Sequence, residues 1–464
     1  MPDTPTARAV ALGHLLRVEA DGAFVARVAG RADAAGRADA AGRAGAAAHE
    51  APPDVARRAS DYVAGVTRQR RWLDFLLAGV VSRPLDHLDP PVLGVLRIGA
   101  YDLVVRRTPP HAAVSEAVSL ARAEVHAGAA GLVNGALRAL ARRLGALPEP
   151  ASGDAADDLA TRHSHPTPLV RGWLAAFGDA ATRALLEHDN RAPVYGLRAT
   201  DAARLPAGLE QDTAREAFRL SVLALGGAAE PSRWLGDFVT TQTLQPVLRA
   251  GLARDGACAV QDEAAGLVVR ALGPRPGERV LDAAAAPGGK AVYAALLGAD
   301  VVALDVNRAK TRLVEQAALA QGVAISAVAG DLRTWAPDGG PAGFDAVLLD
   351  APCTGTGVLA KRADLRWNQS AARTAELLAL QDTLLDAAAR HVRPGGRLVY
   401  ATCSVEQAEN DDRVSAFLAR HAGWRLDAVG TRVPPEMVDG PVYRALPHVH
   451  ATDGAFAARL VRGD

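Results

Sequence analysis

Val280-Leu281-Asp282-Ala283-Ala284-Ala285-Ala286-Pro287-Gly288-Gly289-Lys290 decides the fold: a short apolar run ends on a carboxylate, turns through proline and two glycines, and opens into a helical pattern. A strand, glycine turn and helix in this order cradle nucleotide-like ligands, because glycine lets the backbone approach closely and the first helical N–H groups face the ligand. A lone glycine turn is equally an ordinary strand-to-helix connection, so its surroundings decide its meaning. From Leu272 onward apolar strands alternate with helical stretches: Arg279 to Leu281, Val301 to Leu304, Ile325 to Val328, Phe344 to Leu349, Arg397 to Thr402 and Phe456 to Val461. The alternation predicts an α/β domain over 251–464 with a Rossmann-like, doubly wound sheet. Ligands of such sheets sit beyond the carboxyl ends of the strands, where Asp282, Asp305, Asp331, Asp350 and Cys403 all fall.

Asp305 lies twenty-three residues after Asp282, the spacing of a carboxylate that accepts from ribose hydroxyls. The G-x-G-x-x-G fingerprint of dinucleotide sites is missing, and an acidic residue ending the first strand would repel a pyrophosphate. It suits the cationic, phosphate-free S-adenosylmethionine. Asp331 is then a candidate for the adenine amino group, with a helix cap ahead of Leu332-Arg333 as its plainer role.

Two of the three cysteines end predicted strands, in Asp350-Ala351-Pro352-Cys353 and Thr402-Cys403-Ser404. The C5 carbon of a pyrimidine is barely nucleophilic, and a thiolate adding to C6 turns the ring into an enamine that is. Cys403 is the expected nucleophile. Cys353 is placed to help expel it, and Asp350 to bind the ring N3 or exocyclic amine as charge develops. Inert core packing is the commoner fate of a buried cysteine and is expected for Cys258.

Together, the Asp-x-x-x-Ala-Pro-Gly-Gly-Lys run at 282–290, Asp-Ala-Pro-Cys at 350–353 and Thr-Cys-Ser followed by Glu409-Asn410 resemble the RNA cytosine-C5 methyltransferases. The resemblance implies Cys403 as nucleophile and Cys353 as the thiol that aids release. It further implies an S-adenosylmethionine site built from Ala284, Ala285, Ala286, Pro287, Gly288, Gly289, Lys290, Asp305, Asp331 and Asp350, and no metal. Leu96-Arg97-Ile98-Gly99-Ala100-Tyr101, Val114-Ser115-Glu116-Ala117-Val118 and Val133-Asn134-Gly135-Ala136-Leu137-Arg138 resemble the NusB-like helical domain. Within these methyltransferases that domain marks the bacterial RsmB (Sun, Fmu) type, which implies methylation of a cytosine in 16S ribosomal RNA, free or in a small-subunit assembly intermediate. Val260-Gln261-Asp262 and Asp453-Gly454 belong to the same likeness. The chain departs from the family at Ala284, Ala291 and Ala455, where Cys, Thr and an aromatic are usual. A transfer RNA methyltransferase and a noncatalytic NusB-like RNA-binding protein are the alternatives; the retention of both cysteines with Asp350 and the glycine turn speaks against the second.

The predicted organisation is an all-α, NusB-like RNA-binding domain over 1–150, a connecting α+β domain over 151–250, and the methyltransferase domain over 251–464. The connection Leu147 to Asp154 is rich in proline, glycine and acid, and the six-residue repeat starting at Gly30 and Gly36 marks 29–52 as a flexible insertion. Formal net charge is zero, yet residues 1–150 hold 19 arginines against 15 acidic residues, a local charge of +4. Arg97, Arg106, Arg107 and Arg138 are candidate phosphate contacts. With no 18-residue apolar run and no secretory signal at Met1 to Thr6, the expectation is a cytoplasmic protein with reduced thiols, outside the membrane and monomeric.

Overall fold

The computed structural model describes residues 5–21, 51–200, 211–337 and 343–463. The repeats at 30–41 lie outside the described residues, as does all of 29–52 except Ala51 and Pro52. The chain divides into two compact units, one taking in the described residues up to Asn190 together with Lys361–Gln369, the other Arg191–Ala360 and Ser370 to the end.

The first unit is helical, with helices Ala7–Asp21, Pro53–Ala78, Pro90–Val104, Pro110–Glu124, Ala127–Ala141, Ala155–Arg162 and Thr167–Asn190. Three of these open on proline, which is pre-set for the first helical turn and has no N–H to leave unpaired there. Gly99 permits a close crossing: a β-carbon there would stand 2.4 Å from Leu137 Cδ1, so two of the sequence motifs meet through a residue that has no side chain. The Pro-Gly-acidic connection at 147–154 runs between helices of this unit. Helix Thr167–Asn190 is broken at Gly178, whose φ of 76° no helix accommodates.

Lys361–Gln369 plugs into this unit although its chain neighbours belong to the other. Arg366 is fully buried and donates to the carbonyls of Arg68, Ser164 and Asp189 and to Asn190 Oδ1, all at 3.0–3.1 Å. Trp367 Nε1 donates to Thr67 O at 2.7 Å. Burial pulls the Arg366 guanidinium down to about 9, and its carbonyl partners replace the water it has lost.

The second unit holds two sheets. A small antiparallel one has the order β2-β3-β1-β4, from Tyr195–Ala199 (β1), Glu230–Pro231 (β2), Phe238–Thr241 (β3) and Cys258–Val260 (β4). The large sheet has a parallel block of Arg279–Asp282 (β5), Asp300–Asp305 (β6), Ser326–Ala329 (β7), Phe344–Asp350 (β8) and Val392–Thr402 (β9) in the order β7-β6-β5-β8-β9. Antiparallel strands Ala455–Arg462 (β13), Val442–Ala445 (β12) and Val438–Asp439 (β11) extend it beyond β9, and Trp424–Asp427 (β10) pairs with β13. Successive residues of the parallel strands feed opposite faces. Val280, Leu348 and Val399 join one core with Leu267, while Leu281, Leu349 and Tyr400 join another with Leu385 and Phe417. This is the predicted doubly wound sheet, and its strand order reverses direction between β5 and β8, where such sheets bind ligands.

Candidate active site

Register brings the strand ends together. Asp282 lies opposite Leu348 and Ala303, and Asp350 opposite Ala401, so Asp282, Asp305, Asp350 and the Thr402-Cys403 step share the carboxyl edge. Cys353 Sγ and Cys403 Sγ stand 3.3 Å apart, both half-buried. The Cys353 thiol is raised well above its ordinary range by the neighbouring Cys403 sulfur and by burial, so it stays protonated at neutral pH. Lys290, from the first turn of the helix after the glycine turn, donates to Asp350 Oδ2 at 2.6 Å. Burial works against its charge, but the Asp350 carboxylate overrides that and holds the ammonium above its usual range, with Asp282 and Cys403 adding to the effect.

Glu409 holds the cysteine loop. Fully buried, its carboxylate accepts from Thr354 N at 2.9 Å, from the Thr354 hydroxyl, and from Gln381 Nε2 at 3.0 Å; Gln381 also donates to Pro352 O. Asn410 accepts from Thr402 Oγ1 at 2.6 Å and donates to Ser404 O at 2.9 Å, straddling Cys403. Gly357 N donates to Cys403 O at 3.0 Å, and Gly454 N to Gly357 O at 2.7 Å. A β-carbon on either glycine would come 2.7 Å from the other's Cα, which is what the Asp453-Gly454 motif accommodates.

The glycine turn has the character of a ligand cradle. Gly288 takes φ 108°, and a β-carbon there would press on Val314 Cα at 3.0 Å. Asp305 braces the turn, accepting from Ala286 N at 3.2 Å and from Asn307 N at 2.8 Å. Asp282 Oδ1 and both polar atoms of Gln261 are buried with no hydrogen-bond partner among the described residues. Burial, then the Asp350 charge, raises the Asp282 carboxyl to about 7, against the pull of Lys290. Orphaned polar groups around an open glycine turn fit a ligand that carries ammonium, carboxylate and hydroxyl groups. Ala284 and Ala285 line the turn's entry, and Ala291 is buried in the helix behind it.

The chain from Bacillus subtilis (strain 168) named probable ribosomal RNA small subunit methyltransferase B is 33% identical over 417 residues, covering 86% of this chain and 89% of that one. The family model described as 16S rRNA methyltransferase RsmB/F matches residues 269–461. The chain belongs to the RsmB/F family. The NusB family model matches 5–142, and the ribosomal RNA small subunit methyltransferase B of Klebsiella pneumoniae is 33% identical over 403 residues, covering 86% of this chain and 88% of its own. The crystal structure of PH0851 shares the fold, with a TM-score of 0.76, 24% identity and 98% of both chains covered. The RsmB/F match falls on the methyltransferase sheet and the NusB match on the helical unit.

Not every residue singled out from the sequence joins the site as expected. Asp331 is gripped by Arg333, whose Nη2 lies 2.5 Å from Oδ2; that hydrogen bonding, together with the Arg333 backbone N–H, draws the Asp331 carboxyl down to about 2. It starts a turn, with Trp335 N donating to Asp331 O at 2.7 Å, and caps no helix. Arg97 is buried in a two-pronged pair with Asp74 at 2.6 and 2.7 Å, so its fork is occupied within the protein and is not open to phosphate. Arg106 stacks over Tyr62, 3.5 Å from Asp102. Arg107 and Arg138 are exposed and line separate cavities of the helical unit, of about 700 and 470 Å³. Cys258 is core, as expected, its thiol pushed up to about 12 by burial. Glu409 reads from the sequence only as part of the motif behind Thr-Cys-Ser, with no role given, and Gln381 does not read at all, because an isolated amide announces nothing until a loop closes on it. No group of three or more His, Cys, Asp and Glu among the described residues is placed to hold a metal, and no described helix is long and apolar enough to cross a membrane.

Proposed function

We propose that this chain methylates C5 of a cytosine in 16S ribosomal RNA, with S-adenosylmethionine as methyl donor and Cys403 as the covalent nucleophile. The observation that carries the reading is the pair of thiols 3.3 Å apart beside a Lys290–Asp350 ion pair, at the carboxyl edge of a methyltransferase sheet. The relatives named as small-subunit ribosomal RNA methyltransferases support the substrate.

Ala284 to Lys290 would hold the cofactor along the glycine turn, with Asp305 on the ribose and Asp331, once released from Arg333, on the adenine. When bound it supplies an electrophilic methyl group. A cytosine paired within a helix must first be flipped out to reach the thiols. Cys403 loses its proton and its sulfur adds to C6, which pushes electron density onto C5 for methylation. Lys290 donates to Asp350 Oδ2 and holds that carboxylate at the edge of the sheet where the base would lie. Asp350 accepts from the exocyclic amine and holds the ring as charge builds. Once C5 carries both methyl and hydrogen, its proton passes to water, the C6–S bond breaks with its electron pair going to sulfur, and the C5–C6 double bond returns. Cys353, kept protonated, stands where it can hand its proton to the departing Cys403 sulfur.

RNA carrying 5-fluorocytosine tests the nucleophile, since its C5 fluorine cannot leave as a proton does. Wild-type protein should give a complex stable to denaturation and Cys403→Ala none. Cys353→Ala should accumulate the adduct on ordinary RNA. Methylation by Cys403→Ala at the wild-type rate would overturn the mechanism, and bisulfite sequencing of ribosomal RNA from cells with and without the gene tests the target.

A further inference from the structure

The Val260-Gln261-Asp262 motif lies outside the glycine turn and the thiols, yet the fold fixes it tightly. Gln261 N donates to Gly196 O at 3.1 Å, and Gly196 comes so close that a β-carbon there would sit 2.3 Å from Gln261 O. Asp262 caps the helix Glu263–Leu272 through Ala264 N at 2.8 Å and accepts from Asp453 N at 3.2 Å. With its backbone held on both sides, the Gln261 side chain is only 7% exposed, and neither Nε2 nor Oε1 has a partner among the described residues. A buried primary amide left without any hydrogen bond is costly, and one kept in place points to a group that completes it. The amide faces the glycine turn: a β-carbon on Gly289 would lie 3.7 Å from Gln261 Cδ and 3.8 Å from Nε2. Gly289 is the first residue of its helix, whose leading N–H groups favour a carboxylate.

We infer that Gln261 is a cofactor-positioning residue that binds the amino-acid end of S-adenosylmethionine, Nε2 donating to the α-carboxylate and Oε1 accepting from the α-ammonium. The inference rests on the cofactor reading above and deepens it. Asp305 assigns the ribose to the end of β6, so the amino-acid end runs the other way, over β5 and the start of helix Gly289–Leu296, where Gln261 waits. A zwitterion offers an acceptor and a donor side by side, and a primary amide is the neutral side chain that answers both. The connecting sheet thereby gains a role: β1 and β4 present this side chain to the methyltransferase core.

The test is calorimetric titration of the full-length protein with S-adenosylmethionine and with 5′-methylthioadenosine, which lacks the amino-acid end. Gln261→Met keeps the shape and removes both hydrogen-bonding atoms. It should bind S-adenosylmethionine about ten- to a hundredfold more weakly, the loss expected for hydrogen bonds to charged groups, and methylthioadenosine as wild type does. Its melting temperature without ligand should not fall, because no protein hydrogen bond is removed. Gln261→Glu adds a charge that repels the carboxylate, so it should lose S-adenosylmethionine while retaining decarboxylated S-adenosylmethionine. Equal affinities of Gln261→Met and wild type for S-adenosylmethionine would overturn the inference and leave an ordered water as the amide's partner. A parallel loss of both ligands would overturn it in favour of a packing role. Wild-type protein that binds methylthioadenosine but not S-adenosylmethionine also overturns it, whereas binding neither refutes the cofactor reading itself.

Discussion

Replacing Glu409 by leucine removes one carboxylate and strands the groups that converge on it. Thr354 N, at 2.9 Å, loses its acceptor, and Gln381 Nε2 keeps only Pro352 O. A hydrogen bond from an amide to a charged acceptor contributes about 1.5 to 3 kcal/mol, and each buried donor left unsatisfied costs about 1 to 3 kcal/mol. The segment Pro352–Thr356, which carries Cys353, should therefore open more readily by about 1.5 to 3 kcal/mol, and the protein as a whole should lose about 2 to 6 kcal/mol. Hydrogen exchange followed by mass spectrometry reads the local effect: peptides covering Thr354 should exchange about ten- to a hundredfold faster. Peptides from β6 and β7, remote from the clamp, should change less. On the proposed mechanism, in which Cys353 expels the nucleophile, the same variant should retain more RNA as covalent adduct. Unchanged exchange at Thr354 would refute the idea that Glu409 positions the release cysteine.

Three further outcomes follow from particular residues. A carboxyl raised as Asp282 is keeps its proton in the native state after the unfolded chain has lost it, so the native state weakens as pH climbs from about 4 to about 7. Asp282→Asn removes that penalty, and its unfolding free-energy gap over wild type, read by denaturant titration, should widen between pH 4.5 and 7.5 towards an upper bound of about 4 kcal/mol; a constant gap refutes it. Asp305→Ala loses the proposed ribose acceptor and its brace on Ala286 N, and should weaken S-adenosylmethionine about tenfold or more by calorimetry, against no change if the carboxylate only caps Asn307. Arg107→Glu and Arg138→Glu should each weaken RNA binding and flatten its salt dependence by about one unit of slope per lost phosphate contact, whereas Arg97→Ala should cost stability first, and RNA titrations at two salt concentrations with parallel melting curves separate these outcomes.

The parallel strands were legible because both their faces are buried, so Val301 to Leu304 and Phe344 to Leu349 read as unbroken apolar runs. The short strands β10, β11 and β12 did not stand out: a pair such as Val438–Asp439 carries no period long enough to see. The thiols, Asp350 and the glycine turn could be named from local spacing, since each motif closes within a few residues. Arg97 misled for the opposite reason, and Asp331 sits in a pair that its motif does not show. Their partners, Arg333 and Asp74, decide what the side chain is available for, and nothing in a linear motif says whether a charge is already satisfied. The plug Lys361–Gln369 was invisible on the same grounds, because Arg366 and Trp367 are held chiefly by main-chain carbonyls up to 300 residues away, and a carbonyl has no residue signature.

That plug bears on how such a chain can be inherited and cut. A crossover or an expression boundary near residue 190 looks like a clean exchange of one unit for another, but it separates the socket at Thr67, Arg68, Ser164 and Asn190 from the stopper encoded far downstream. A helical unit made alone would retain a hole shaped for a guanidinium and an indole. A catalytic unit made alone would display both in water, thirteen and fourteen residues beyond Cys353. The two units are thus bound to a shared genealogy, and any chimera that joins halves from different relatives has to carry the stopper together with its own socket.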